Sequence, residues 1–155
     1  MMTEMERIHD QMKRAFQGPA WHGPAVLEAL DGVSPAHATA RPIGAAHTIA
    51  EITRHVAAWK RFVARRLAEG KSFEVSDAMD WPAVGPIDEQ AWRSFLAELS
   101  ASHEELLRAV AAAPAHRLDE PLVPQGNTGY IQLHGVVQHD LYHAGQIVLL
   151  KKALP

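Results

Sequence analysis

The sequence contains no cysteine. Disulfides and thiolate ligands are thereby excluded, and any metal held by this chain must take imidazole, carboxylate or water. No stretch approaches the ~18 consecutive apolar residues of a membrane-spanning helix. The opening Met1-Met2-Thr3-Glu4-Met5-Glu6-Arg7 is polar and lacks the apolar centre of a signal peptide, so a cytoplasmic location is expected. A basic surplus is also missing. Fifteen Lys and Arg against 18 Asp and Glu give a net charge of −3, which argues against a nucleic-acid partner, whose phosphates demand a basic face. There is no P-loop, no other glycine-rich phosphate loop and no Ser/His/Asp set with a defensible arrangement. What the chain does have is an ordinary apolar content of 47% over 155 residues, enough for one domain spanning 1–155 around one core.

Apolar periodicity predicts helices and no alternating strand. Thr3 and Glu6 form a capping box, followed by the stripe Ile8, Met12 and Ala15 or Phe16. Gly18-Pro19 to Gly23-Pro24 breaks this helix, which resumes at Pro24 and runs to about Leu30. Thr48 and Glu51 form a second capping box for a helix that ends at Gly70. Its predicted inner stripe is Ile52, His55, Trp59 and Phe62, with Arg54, Lys60, Arg61 and Arg65 on the charged face. Asp88 caps a third helix whose stripe is Trp92, Leu96 or Phe95, Leu99, His103, Leu106 and Val110, ended by Pro114. A fourth helix, from about Ile131 to Ala153, has Val136, His139, His143, Ile147 and Leu150 inside. The expected elements are therefore 3–31 (broken around 18–23), 48–69, 88–113 and 131–153. They fit an all-α, up-and-down-type four-helix bundle with long loops. The loops exceed the ~2–8 residues usual in bundles and are candidates for shaping a pocket at one end.

Ten histidines is a high count for this length. Most need no special role. Within His139-Asp140-Leu141-Tyr142-His143, however, two imidazoles stand at i and i+4, one turn apart on one helix face. That spacing lets both grip one ion. His55, on the apolar stripe of another helix, supplies a third ligand. Three His ligands leave a coordination position open, the arrangement of catalytic metal sites. Buried without a metal, three imidazoles would each need other partners.

Lesser candidates surround this set. His103 reads as a core or rim residue. Glu51 reads as a cap before it reads as a support for His55. Gln146, three residues after His143, is placed to face the site. Tyr142 and Asp140 flank the ligands on other faces, and Trp59 reads as core or pocket wall. Arg65-Arg66 and Lys151-Lys152 read as solvated faces.

The run His139-Asp140-Leu141-Tyr142-His143-Ala144-Gly145-Gln146-Ile147, followed by Leu149-Leu150-Lys151, closely resembles the last helix of the DinB/YfiT-like superfamily. Thr48 to Ile52, with His55 and Trp59, resembles that family's second helix, and Trp21-His22-Gly23-Pro24 resembles the break after its first. The resemblance implies a four-helix bundle holding a divalent metal on His55, His139 and His143, commonly as a homodimer. Members include thiol-dependent transferases, a mycothiol-dependent isomerase and metal hydrolases, so a low-molecular-weight thiol is a further implied cofactor. No DNA binding follows from the family name.

His ligands suit Zn²⁺, Ni²⁺, Fe²⁺ or Mn²⁺ without choosing among them. The expected function is a metal-dependent enzyme acting on a small molecule, of hydrolase or thiol S-transferase type. The alternatives are a non-catalytic metal- or ligand-binding bundle and a bundle whose histidines bind no metal.

Overall fold

A computed structural model describes residues 1–70 and 73–155. Four long helices dominate: α1 (Glu4–Gln17), α4 (Ile49–Glu69), α6 (Glu89–Ala112) and α7 (Gly129–Ala153). Short helices occupy the connections: α2 (Val26–Leu30), α3 (Pro35–Thr39), α5 (Asp77–Asp80) and a 3₁₀ turn over Ala115–Leu118. No strand occurs among the described residues. The all-α expectation holds, and the long helices begin and end within two residues of their predicted limits.

The caps explain that agreement. Glu6 N–H donates to Thr3 Oγ1 at 3.3 Å while Thr3 N–H donates to the Glu6 carboxylate at 2.7 Å. Thr48 and Glu51 repeat the exchange at 2.8 and 3.1 Å. Asp88 accepts from Ala91 N–H at 2.8 Å. Gly70 ends α4 with φ 62°, the left-handed conformation that glycine adopts without a Cβ penalty. Helix α7 starts two residues earlier than expected because Thr128 caps it. Its first residue must be Gly129, since a Cβ there would lie 2.1 Å from the Arg117 carbonyl oxygen of the 3₁₀ turn.

Both α4 and α1 pack against α6 and α7, so α1 and α4 sit across the diagonal of the bundle, as do α6 and α7. The connectivity is thus more particular than a plain up-and-down chain, in which successive helices are neighbours. The long first and last connections supply the reach for these diagonal crossings. Trp92 anchors the first of them, its indole N–H donating to the Val33 carbonyl at 2.7 Å. Lys151 is not solvated as expected: its ammonium donates to the carbonyls of Ala29 and Asp31, at the C-terminal end of α2.

The buried apolar residues form two clusters. One gathers Phe16, Val56, Trp92, Leu99, Ala144 and Ile147. The other gathers Met12, Val63, Leu67, Leu106, Leu133 and Val136. Between them in sequence on α4, α6 and α7 lie Lys60, His103 and Asp140, all buried. Lys60 donates to Asp140 at 2.5 Å, with side-chain exposures of 1% and 0%. Its ammonium also lies 4.7 Å above the Phe16 ring, and His103 stacks on Phe16 at 4.0 Å. A polar layer therefore crosses the middle of the bundle.

This layer corrects the sequence reading of α4. Lys60 belongs to the inward face, with Ile52, Val56, Val63 and Leu67, and not to the charged face. The stripe of His55, Trp59 and Phe62 runs beside that face, under the segment between α4 and α6. Phe62 meets Phe73 there at 5.6 Å. Val63, Leu67 and Leu107, which lie slightly off the predicted stripes, are core, whereas Leu149, also off its stripe, is exposed.

Burial draws the Lys60 pKa down and the Asp140 pKa up, while their contact opposes both shifts. Such a pair adds little net stability against an apolar replacement, but removing one member strands the other. Lys60→Met or Asp140→Leu alone should lose about 3–5 kcal/mol in urea unfolding. The double replacement should recover most of that loss. Additive losses across this double-mutant cycle would show that the two groups are not coupled.

Candidate metal centre

Helix α4 delivers His55, and α7 delivers His139 and His143 one turn apart. The His139 Nε2 atom lies 2.9 Å from His55 Nε2 and 3.1 Å from His143 Nε2. The three ligand atoms all fall within 4.8 Å of one another. Nitrogens bound tetrahedrally to a zinc-like ion at ~2.0–2.1 Å stand about 3.3 Å apart. The group is therefore compact enough to hold one small cation.

The outer ring nitrogens fix the tautomers. His55 Nδ1 lies 2.8 Å from the backbone carbonyl of Asp80 and 3.1 Å from its carboxylate. A carbonyl only accepts, so Nδ1 carries the proton and Nε2 presents a lone pair. His143 Nδ1 pairs likewise with Gln146 Oε1 at 2.7 Å. Both free lone pairs then face His139 Nε2, which in a neutral ring has at most one proton to give. At least one of the two contacts sets lone pair against lone pair. A cation at the centre satisfies all three nitrogens, and the donor set fits a metal on this ground.

The rings are held in the neutral form that a metal requires. Burial, reinforced by His143 and His55, pushes His139 down to about 3. Burial pushes His143 down to about 4, against the Gln146 hydrogen bond. His55 is also lowered, mainly by burial, with Asp80 opposing.

Aromatic packing fixes the planes. Trp81 is sandwiched between His55, 3.9 Å away, and His47, 3.5 Å away, with all three rings near parallel. Trp59 donates its indole N–H to the Asp80 carboxylate at 2.6 Å. Asp80 thus ties α5 to two residues of α4. His47 in turn is held by Glu51 at 3.2 Å, so the cap of α4 reaches the site through a stacked pair.

The family model of the DinB superfamily matches residues 20–147, most of the chain, including all three histidines. This chain belongs to the DinB superfamily. No curated protein and no solved structure matches it. The DinB superfamily match covers α2 to most of α7 and leaves α1 outside.

The sequence-predicted residues His55, His139 and His143 come together, and Gln146 faces the site as expected. Glu51 caps α4 and touches His47, not His55. Trp59 is partly buried, beside His139 at 6.3 Å between ring centroids. Tyr142 is largely exposed, at an edge-on 5.1 Å from His143. His103 is core and is not part of the site. Sequence reasoning missed Asp80 and the stacking role of Trp81. They stand 25 and 26 residues beyond His55, and no spacing rule links a loop to a helix at that distance. The available signal was Trp81-Pro82 itself, a tryptophan in a proline-containing connection.

Two cavities adjoin the histidines. One, about 370 Å³, is bordered by Ile43, His47, Trp81, Tyr142, His143 and Gln146. The other, about 470 Å³, is bordered on the opposite flank by Trp59, Arg66, Asn127, Gln132, Gln138 and His139.

His103 provides a pH test away from the metal ligands. Burial, reinforced by Lys60, pushes it down to about 3, and neither ring nitrogen has a hydrogen-bond partner among the described residues. Its folded pKa lies below its unfolded value, so the folded state binds fewer protons. Its contribution to stability is fully present above about pH 6.5 and is lost as pH falls from there toward 3. His103→Leu should leave the midpoint at pH 7 unchanged or raised, since it removes unpaired buried polar atoms. It should also flatten the acid limb by up to ~1.4 kcal/mol per pH unit in chemical unfolding. An acid limb of unchanged slope would contradict the assignment.

Proposed function

We propose that this DinB-superfamily protein binds one divalent transition metal through His55, His139 and His143 and works as a metal-dependent enzyme on a small molecule. The observation that carries the proposal is the proton count at His139 Nε2, whose two neighbours both present lone pairs. Asp80 and Gln146 hold His55 and His143 in the ligating tautomer, and Trp81 holds the plane of His55. A bound ion would supply a Lewis acid beside the two cavities.

Between hydrolase and thiol S-transferase chemistry, the surroundings favour the second. The carboxylate nearest the histidines, Asp80, is engaged by His55 and Trp59 and is not free to act as a general base. The larger adjoining cavity sets one guanidinium and three amides among apolar side chains, a lining suited to a small thiol that carries a carboxylate. The reaction belongs in the cytoplasm on this reading; no described helix is long and apolar enough to cross a membrane.

Metal analysis of untagged protein tests the centre. Wild type should carry about one ion per chain, and His139→Ala/His143→Ala should carry almost none, because one remaining imidazole holds a divalent ion poorly. A double variant that retained stoichiometric metal would refute the ligand set.

We further propose a homodimer. Its support is Tyr142 and Leu149, large exposed side chains that border one cavity, together with the exposed Trp21 elsewhere on the surface. Light scattering should give about twice the 17.0 kDa chain mass, and Tyr142→Glu/Leu149→Glu should halve it. A wild type that stays monomeric at high concentration would exclude the dimer.

A further inference from the structure

The cavity on the His139 flank contains a feature that the metal centre does not use. Arg66, one turn after Phe62 on α4, lines it and makes no salt bridge among the described residues. The sequence suggested a solvated arginine beside Arg65. Only Arg65 fits that description, pairing with Glu69 at the surface. The Arg66 guanidinium is partly buried against the rings of Trp59 and Phe73, 5.6 and 5.3 Å from their centroids. Gln132 Oε1 accepts from Nη1 at 3.2 Å. Among the described residues, neither the buried Nε nor Nη2 has an acceptor.

The unused edge of a guanidinium is the Nε–Nη2 fork, which matches the two oxygens of a carboxylate. A partly buried cation with an unpaired buried donor is costly to leave unpartnered. The rest of the lining gives no competing anion. It consists of apolar Val63, Val123, Ile131 and Val136, the amides of Asn127, Gln132 and Gln138, the glycines at 126 and 135, Trp59 and His139. Arg66 is the one guanidinium or ammonium among the described residues that line this cavity, and the two oxygens of a carboxylate match its open edge. At about 470 Å³ the cavity is of small-molecule size.

The geometry points to a carboxylate-binding subsite at Arg66: this cavity takes a small monocarboxylate with a flat or apolar body, its carboxylate on the Nε–Nη2 edge of Arg66 and its other end toward His139. As an account of the enzyme's substrate this rests on the proposed metal centre; as a binding site it does not. Trp59 joins the two ends, since it lies under Arg66 and edge-on to His139.

Phenylacetate and its neutral isostere phenylacetamide probe the site, with titrations of the full chain followed by the Trp59 indole resonance. Wild type should bind the acid about tenfold or more tightly than the amide, and Arg66→Gln should bring the ratio near one. Arg66→Lys, which keeps the charge but not the fork, should weaken the acid several-fold and leave the amide unmoved. This conservative variant carries the test if Arg66→Gln loses its native spectrum. Wild-type protein stripped of metal with a chelator should keep the preference for the acid. If the preference disappears with the metal and survives Arg66→Gln, the carboxylate sits on the ion and the subsite is wrong. A wild type that binds acid and amide equally, or neither, also overturns it. Absence of stoichiometric metal alongside an intact Arg66-dependent preference would refute the metal centre alone.

Discussion

The contact on which the rest of this structure turns is the buried pair of Lys60 and Asp140. It joins α4 to α7 in the middle of the core, where both side chains are out of water. Two charges so placed tolerate little sliding, because a shift of one helix past the other would strand both in apolar surroundings. His55 lies five residues before Lys60, and His139 is the residue next to Asp140. The register that pairs Lys60 with Asp140 is therefore also the register that brings His55 Nε2 to 2.9 Å from His139 Nε2. Apolar packing alone would hold the helices together but would choose their register less strictly.

Around that fixed pair of helices, the connections finish the site. The segment after α4 folds back as α5, where the Asp80 carbonyl receives the His55 Nδ1 proton and the Asp80 carboxylate receives the Trp59 indole proton. Trp81 then covers the outer face of His55. The connection before α7 contributes Val123, Gly126 and Asn127 to the cavity beside His139. The long loops thus orient the histidines and build walls, while the helices set where the histidines are. This division suits a scaffold on which the histidine group is set by the helices and its surroundings by the loops.

The two flanks of the histidine group differ in character. On the His143 side the cavity is aromatic and apolar, with His47, Trp81 and Tyr142 at its edge. On the His139 side, amides and one arginine enter. A metal between them would face two environments of different polarity.

Much of this protein is written locally in its sequence. The capping pairs Thr3–Glu6 and Thr48–Glu51, the cap at Asp88 and the glycine at 70 set helix limits through contacts spanning only a few residues. The i,i+4 spacing of His139 and His143 set two imidazoles on one face, and the position of His55 on an apolar stripe aimed the third toward them. Those features follow from helix geometry and need no knowledge of the remainder. What only the tertiary structure decided are the partners brought together across long stretches of chain: Lys60 with Asp140, 80 residues apart, and His55 with Asp80, 25 residues apart. A lysine on a helix reads as solvated because its charge is normally hydrated, and Arg66 reads the same way beside Arg65. Only when α7 and the loops close over them does burial single out one residue for an internal counter-charge and leave the other facing a cavity without one.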